Sequence, residues 1–271
     1  MKLYKTFTTL TLSLMTILIF NGFNNKTANN EAPTFTSITL ESNTSTLNIG
    51  EKVMLTLFGT YPDNSTEVLT KNIEYIITPS QSVELNVSTL TVLKDGTVTL
   101  QAKVSTYFSN TLTLNIVWVV DGHVLPPEPD SAVNNATLLG VDVNDNGVRD
   151  DVERWIYETY KDKHPIHIDI AMQGAREKQK MLSHPEKAKE IHERMVAPID
   201  CESYYRTCIS KPLVNDRING RNFRKVIFNT KERIDTYNKY DTLLSGDSYT
   251  IPWCSKRKEK CDFSTNKYDK E

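Results

Sequence analysis

Apolar residues in the first half of the chain recur at every second position. Val53, Leu55 and Leu57, and again Val98, Leu100, Ala102 and Val104, alternate with Thr, Gln and Lys. That is the period of a strand with one buried face. Turn signals interrupt the pattern about every eight to twelve residues, at 48–51, 61–65 and 94–96. The pattern predicts strands over 36–40, 52–60, 73–78, 83–87, 97–105 and 111–119, forming a small β-sandwich. Past Pro126, Pro127 and Pro129 the period lengthens to that of a helix, and Val152, Trp155, Ile156 and Tyr160 make one stripe. Further helical stripes carry Ala171, Met172, Ala175 and Leu182, then Ala188, Ile191, Met195 and Ile199. The longest runs from Phe223 through Val226, Ile227, Thr230, Ile234 and Tyr237 to Leu244, with Gly246 as its stop. Ser183 and Glu186 have capping-box spacing ahead of the 188–199 helix. The expected fold is multidomain: an all-β sandwich followed by a mostly α-helical, disulfide-closed domain. Its parts are a signal segment (1–25), the sandwich (26–120), a semi-rigid proline-rich linker (121–137) and the helical domain (138–271).

The sharpest chemical signal is VDVNDNGVRDDVERWI at 141–156. From Asp142 it fits D-x-[DN]-x-[DN]-G-x5-E at every fixed position. Calcium takes six to eight hard oxygens. The template supplies them from Asp142, Asn144 and Asn146, the Val148 carbonyl, Asp150 (often through water) and a bidentate Glu153, with Gly147 at the turn. Asn at two of these positions leaves three carboxylates, which points to weak binding, in the ~10⁻⁴ to 10⁻³ M range of extracellular modules. The bland alternative is a polar turn before a helix, with Asp150 as N-cap and Glu153 completing a capping pair. It accounts for two residues where the metal reading accounts for six. The loop resembles an EF-hand or the related D-x-D-x-D-G loops of secreted proteins, although only a stub at 136–139 stands where an EF-hand has its entering helix.

SITLESNTSTLNIGEKVMLTLFGTYPDNSTEVLTKNIEY, with KDGTVTLQAKV further on, resembles bacterial immunoglobulin-like domains of group 2. The resemblance covers about ninety residues and implies the sandwich and a spacer or adhesive role, with no catalytic residues. The chain departs from that pattern at Tyr75, where such domains often carry Trp, and at Asn64, where they often carry Gly. The second half, ATLLGVDVNDNGVRDDVERWIYETY followed by AMQGAREKQKML and PIDCESYY, resembles uncharacterised exported bacterial proteins with this calcium loop ahead of a helical region.

Lys2 and Lys5 ahead of an apolar run from Phe7 to Phe20 have the build of a secretory signal. That run is short for a membrane span. No clear cleavage site follows it, so an uncleaved leader stays open. All four cysteines, Cys201, Cys208, Cys254 and Cys261, lie in the last third, which suits two disulfides in an exported chain. If 198–207 is helical, cysteines seven residues apart are about 10.5 Å apart, beyond the ~7 Å reach of a bridge. Nested pairing, Cys201 with Cys261 and Cys208 with Cys254, is then favoured over two local loops.

A formal net charge of −2 gives no signal for nucleic acid. His164, His167 and His192 lack the spacing of a zinc helix, and no nucleophile elbow, phosphate loop or dinucleotide fingerprint occurs. Lys256, Arg257, Lys258 and Lys260 form a basic cluster diluted by Glu259 and Asp262, read as a solvated tail with an anionic polymer as the alternative. The reading is an exported protein, secreted, periplasmic or at the cell surface, that holds structural calcium and serves a binding, adhesive or surface role. Its partner is an unidentified protein or glycan, without nucleic acid and without a membrane span apart from the leader. The rival class is a secreted hydrolase with its catalytic residues in the helical half. Oligomeric state leaves no mark on the sequence.

Overall fold

The structure is a computed structural model. It describes residues 35–268 apart from 219, 247 and 249, so the signal segment expected at 1–25 lies outside the described residues. The chain forms two compact units that divide between Trp118 and Val119.

The first unit is strand-rich. In chain order its strands are β1 (Ser37–Ser42), β2 (Thr46–Asn48), β3 (Lys52–Thr60), β4 (Thr66–Leu69), β5 (Glu74–Thr78), β6 (Val83–Asn86), β7 (Thr89–Val92), β8 (Gly96–Val104), β9 (Tyr107–Phe108) and β10 (Leu112–Val117). They make two five-stranded sheets, one ordered β1-β3-β7-β6 with β4 also on β3, the other ordered β2-β10-β8-β5 with β9 also on β8. Pairing is antiparallel apart from β2, which runs parallel to β10. Alternation placed the long strands well. In β3 and β8 the aliphatic residues at alternate positions are buried and the Thr, Gln and Lys between them are not. Val53, Leu55 and Leu57 join Leu90, Val92, Val98, Leu100, Ala102, Leu114 and Tyr75 in one core. Asn110, just before β10, receives the Leu40 N–H on Oδ1 at 2.8 Å and donates from Nδ2 to the Leu40 carbonyl at 3.1 Å. It thereby satisfies backbone groups of β1 that no strand partner reaches.

Four strands of the first unit lie outside the predicted set, of which β9 is only two residues long. β2 is three residues long, and β4 is an exposed edge strand with no alternation to read. β7 follows a two-residue turn at Val87 and Ser88, where Asn86 faces Thr89. Val87 holds φ +57, a left-handed conformation that normally falls to Gly or Asn, so the turn has no sequence signal. Asn64, in the turn between β3 and β4, also has positive φ (65°) and there suits its residue type.

The second unit opens with a hairpin of β11 (Val119–Val120) and β12 (His123–Val124), turned by Asp121 and Gly122. Helices α1 (Ser131–Asn135), α2 (Asp150–Tyr160), α3 (Ile166–Ser183), α4 (Ala188–Ser203), α5 (Arg221–Ile227), α6 (Lys231–Leu243) and α7 (Cys254–Arg257) follow. Their shared core includes Val148, Val152, Ile156, Ile166, Ile170, Ala171, Met181, Leu182, Tyr205 and Phe223. The segment expected as a linker belongs to this unit: the Arg154 guanidinium donates to the Pro126 carbonyl at 2.8 Å and to Glu128 at 2.6 Å.

Three helical details differ from expectation. The long 223–244 stripe is two helices, because Thr230 takes an extended conformation and its hydroxyl accepts the Arg233 N–H, starting α6 anew. Ser183 does not cap α4. Its hydroxyl donates to the Gln179 carbonyl in the last turn of α3, and α4 begins without a side-chain cap. Ile199 faces outward, 46% exposed. Pro198 sits inside α4, which continues to Ser203 and then widens into a single π turn, Tyr204–Cys208.

Both disulfides form in the nested arrangement, Cys201–Cys261 with Cα atoms 5.1 Å apart and Cys208–Cys254 with 5.6 Å. They staple α4 and its π turn to the 254–261 segment. Among the described residues no helix is long and apolar enough to cross a membrane.

Candidate functional site

The twelve residues from Asp142 to Glu153 are held in place by two fully buried arginines. Arg149, inside the loop, donates to the Val226 carbonyl at 2.8 Å and the Ile227 carbonyl at 3.1 Å, and pairs with Asp151. Arg233, on α6, collects the carbonyls of Asn134, Thr137 and Leu138 at 2.7, 3.1 and 2.9 Å, together with the side chains of Asn135 and Asn229. Burial, with Arg149 next in weight, lowers the Arg233 pKa to about 10, so the residue keeps its charge at neutral pH. The carbonyls that precede the loop thus surround a fixed cation, which offsets the cost of burying it. Gly140 fits where nothing larger could: its φ is +72, and a β-carbon there would lie 2.2 Å from Arg149 Cδ.

Within the loop, side-chain oxygens turn the backbone. Asp142 accepts the Asn146 N–H at 3.2 Å and the Gly147 N–H at 2.9 Å. Asn146 Oδ1 accepts the Val148 N–H at 2.8 Å. Asp145 and Gly147 take positive φ, 52° and 78°. These local bonds curl 142–148 over the start of α2. Asp150 is the first residue of α2 rather than its cap, which is Arg149. Its carboxylate points back into the loop and accepts the Val143 N–H at 3.1 Å.

Glu153 is completely buried on α2. Its Oε2 receives the side-chain N–H groups of Asn146 at 2.6 Å and Asn144 at 3.1 Å. Its Oε1 lies 2.6 Å from His123 Nε2, and that imidazole stacks on Tyr157 with centroids 4.6 Å apart. His123, on β12, lies thirty residues upstream of Glu153. Nothing in the spacing of the loop points to it. The three expected carboxylates also sense one another: burial pushes the Asp150 pKa up to about 6, the Val143 N–H pulls it back, and Asp142 and Glu153 add to the rise.

Chemically the loop offers hard oxygen donors, the kind calcium takes. Among the described residues no three Asp, Glu, His or Cys side chains gather as a metal-binding group. The expected set instead combines carboxylates with the amides of Asn144 and Asn146. Both amides now turn N–H toward Glu153, and a half-turn about Cβ–Cγ exchanges that N–H for the amide oxygen. The stub expected at 136–139 is not helical; ahead of it lie the five residues of α1, capped by Asp130, which accepts the Ala132 and Val133 N–H groups at 2.9 and 3.0 Å.

The chain matches no family model and no curated protein sequence.

The histidines set aside on spacing have structural partners. His167 Nδ1 is 2.9 Å from the His164 carbonyl, with its ring stacked on Tyr160, and His192 Nδ1 is 3.2 Å from the Tyr240 hydroxyl. The basic cluster near the second disulfide is largely engaged. Lys256 pairs with Glu259 at 2.9 Å, Lys260 with Glu193 at 2.5 Å, and Arg257 donates to the Pro252 carbonyl at 2.9 Å.

Proposed function

We propose that this is an exported calcium-binding protein with a binding or surface-architecture role, in which an immunoglobulin-like sandwich of the bacterial group 2 kind precedes a helical domain whose opening loop holds a structural calcium ion. The observation that carries the calcium reading is the buried Glu153 carboxylate, met on Oε2 by the side chains of Asn144 and Asn146 and on Oε1 by His123. A buried carboxylate needs strong partners. In the calcium-bound form the ion supplies that partner, with Asp142, Asn144, Asn146, the Val148 carbonyl and Asp150 completing the oxygen shell. Because Glu153 shares α2 with the core residues Val152 and Ile156, closing the loop on the ion fixes how the helical core begins.

Export is supported by the charged and apolar N-terminal sequence and by two disulfides, which persist in oxidising compartments. The sandwich is supported by two sheets whose alternating residues enter one core. The partner is a protein or glycan met outside the cytoplasm.

The test is a melting curve of the intact protein followed through its helical signal. Calcium at ten times its dissociation constant should stabilise the helical unit by about 1.4 kcal/mol, a rise of about 3 to 6 °C for a unit of this size. Magnesium at the same concentration should do less, since it demands tighter octahedral geometry. An unmoved curve at millimolar calcium would reduce the loop to a polar turn before a helix. Fractionation of expressing cells tests export, and recovery of the chain only in the cytoplasm would sink it.

A further inference from the structure

The surface where α5 meets the beginning of α6 carries a second candidate site, independent of the calcium loop. Arg217, Arg221, Arg224 and Lys225 line a cleft of about 530 Å³ with no carboxylate among its lining residues. Tyr237 and the exposed Ile234 form its apolar wall. Arg224 lies over the Tyr237 ring, 4.7 Å from the centroid, and Phe228 backs that ring at 4.9 Å. A cleft of similar size, about 470 Å³, lies elsewhere in this unit, but there Lys180 and Lys260 are neutralised by Glu177 and Glu193 at 2.8 and 2.5 Å. Among the described residues, none of the four cations of the first cleft pairs with a carboxylate. Like charges held together without counter-charge raise the local potential and attract anions. Guanidinium forks match the paired oxygens of a phosphate group. The volume suits a small molecule rather than a bare ion, and a mostly apolar wall with a few charged groups is the usual make-up of such a site.

We propose that this cleft binds a small phosphate monoester, its phosphate held by Arg217, Arg221 and Arg224 and its ring laid against Tyr237 and Ile234. A nucleotide and a sugar phosphate share this chemistry, and so does the phosphorylated end of an envelope polymer.

The test is titration calorimetry of the full chain with AMP, glucose 6-phosphate and inorganic phosphate. At least one ester should bind tenfold or more tightly than inorganic phosphate, and preference for AMP or for glucose 6-phosphate identifies the nucleotide or the sugar source. Arg221→Gln and Arg224→Gln should each weaken the ester tenfold or more, with Arg221→Lys intermediate. Tyr237→Ala should narrow the gap between ester and inorganic phosphate. Lys239→Gln, an exposed charge on α6 outside the cleft, should leave affinity unchanged. Failure of both esters to bind at millimolar concentration would overturn the proposal, as would unchanged affinity in the Arg221→Gln, Arg224→Gln double variant. Binding of a single-stranded oligonucleotide without either ester would also overturn it, reassigning the cleft to a polymer. The variants leave Asp142 to Glu153 untouched, so loss of ester binding with calcium binding intact separates this site from the loop.

Discussion

Alanine at Gly140 should damage the second unit far more than an ordinary loop substitution. A β-carbon there would lie 2.2 Å from Arg149 Cδ, 2.9 Å from Arg149 Cγ and 2.6 Å from Asn134 Oδ1, at a φ of +72. The left-handed conformation alone costs about 1 to 2 kcal/mol for a residue with a β-carbon. The clash adds to that, because neither neighbour can move freely. Arg149 is fully buried and donates to the Val226 and Ile227 carbonyls, while Asn134 Oδ1 accepts the Val141 N–H at 3.0 Å. Breaking one hydrogen bond to a buried charge costs about 1.5 to 3 kcal/mol, so the total is about 3 to 5 kcal/mol. Thermal unfolding followed by circular dichroism in the helical band should show a fall on the order of 10 °C. Gly246→Ala is the control: its φ is +86 but nothing lies within 4 Å of the added carbon. It should cost only the strain, about 1 kcal/mol, or about 3 °C. If both variants melt together, the close packing of Gly140 against Arg149 does not hold the entrance to the loop.

His123→Ala should destabilise the second unit by about 1 to 3 kcal/mol in calcium-free buffer, because Glu153 stays buried with one partner fewer; denaturant titration reads this, and an unchanged midpoint counts against the contact. Val87→Asn should stabilise the first unit by about 1 kcal/mol, since Val87 is a β-branched residue at φ +57 and 74% exposed, so only strain is removed; a lower melting temperature would refute this. Burial, with Arg224 adding to it, lowers the Lys178 pKa from 10.5 to about 8. Between those values the unfolded chain binds more protons, so stability rises as pH increases from 8 toward 10.5. Lys178→Met should therefore raise the melting temperature at pH 7 and lose that advantage as the pH approaches 10, and a gain that grows with pH would contradict the assignment.

How much could be read in advance depended on whether the signal was local. The nine residues of β3 follow from alternation alone because one face is buried along their whole length. Helix rise excluded the two local loops, since Cys201 and Cys208 lie too far apart along α4 and its π turn to bond to each other, but the choice of nested over crossed pairing rests on where the 254–261 segment packs. The 142–153 loop stood out because its residue types recur at fixed spacing in a single segment. Its supports did not, because they come from elsewhere: His123 from a hairpin thirty residues away and Arg233 from α6. β7 has no turn signal ahead of it because Val87 occupies a glycine-type conformation, and the 223–244 stripe conceals a break because Thr230 caps a new helix without interrupting the apolar spacing. The basic cleft has no contiguous signal either. The charge run at 256–260 is contiguous in sequence but has Lys256 and Lys260 paired with carboxylates, while Arg217 to Lys225 converge only once α5 packs beside α6.

The central claim is that Asp142 to Glu153 hold calcium, and isothermal titration of the intact, calcium-stripped protein tests it most directly. The wild type should bind one ion with a dissociation constant of about 10⁻⁴ to 10⁻³ M. Glu153→Gln, which exchanges the bidentate carboxylate for a neutral amide, should abolish measurable binding while both disulfides still form. Absence of binding in the wild type at millimolar calcium, or equal binding in Glu153→Gln, would contradict the account.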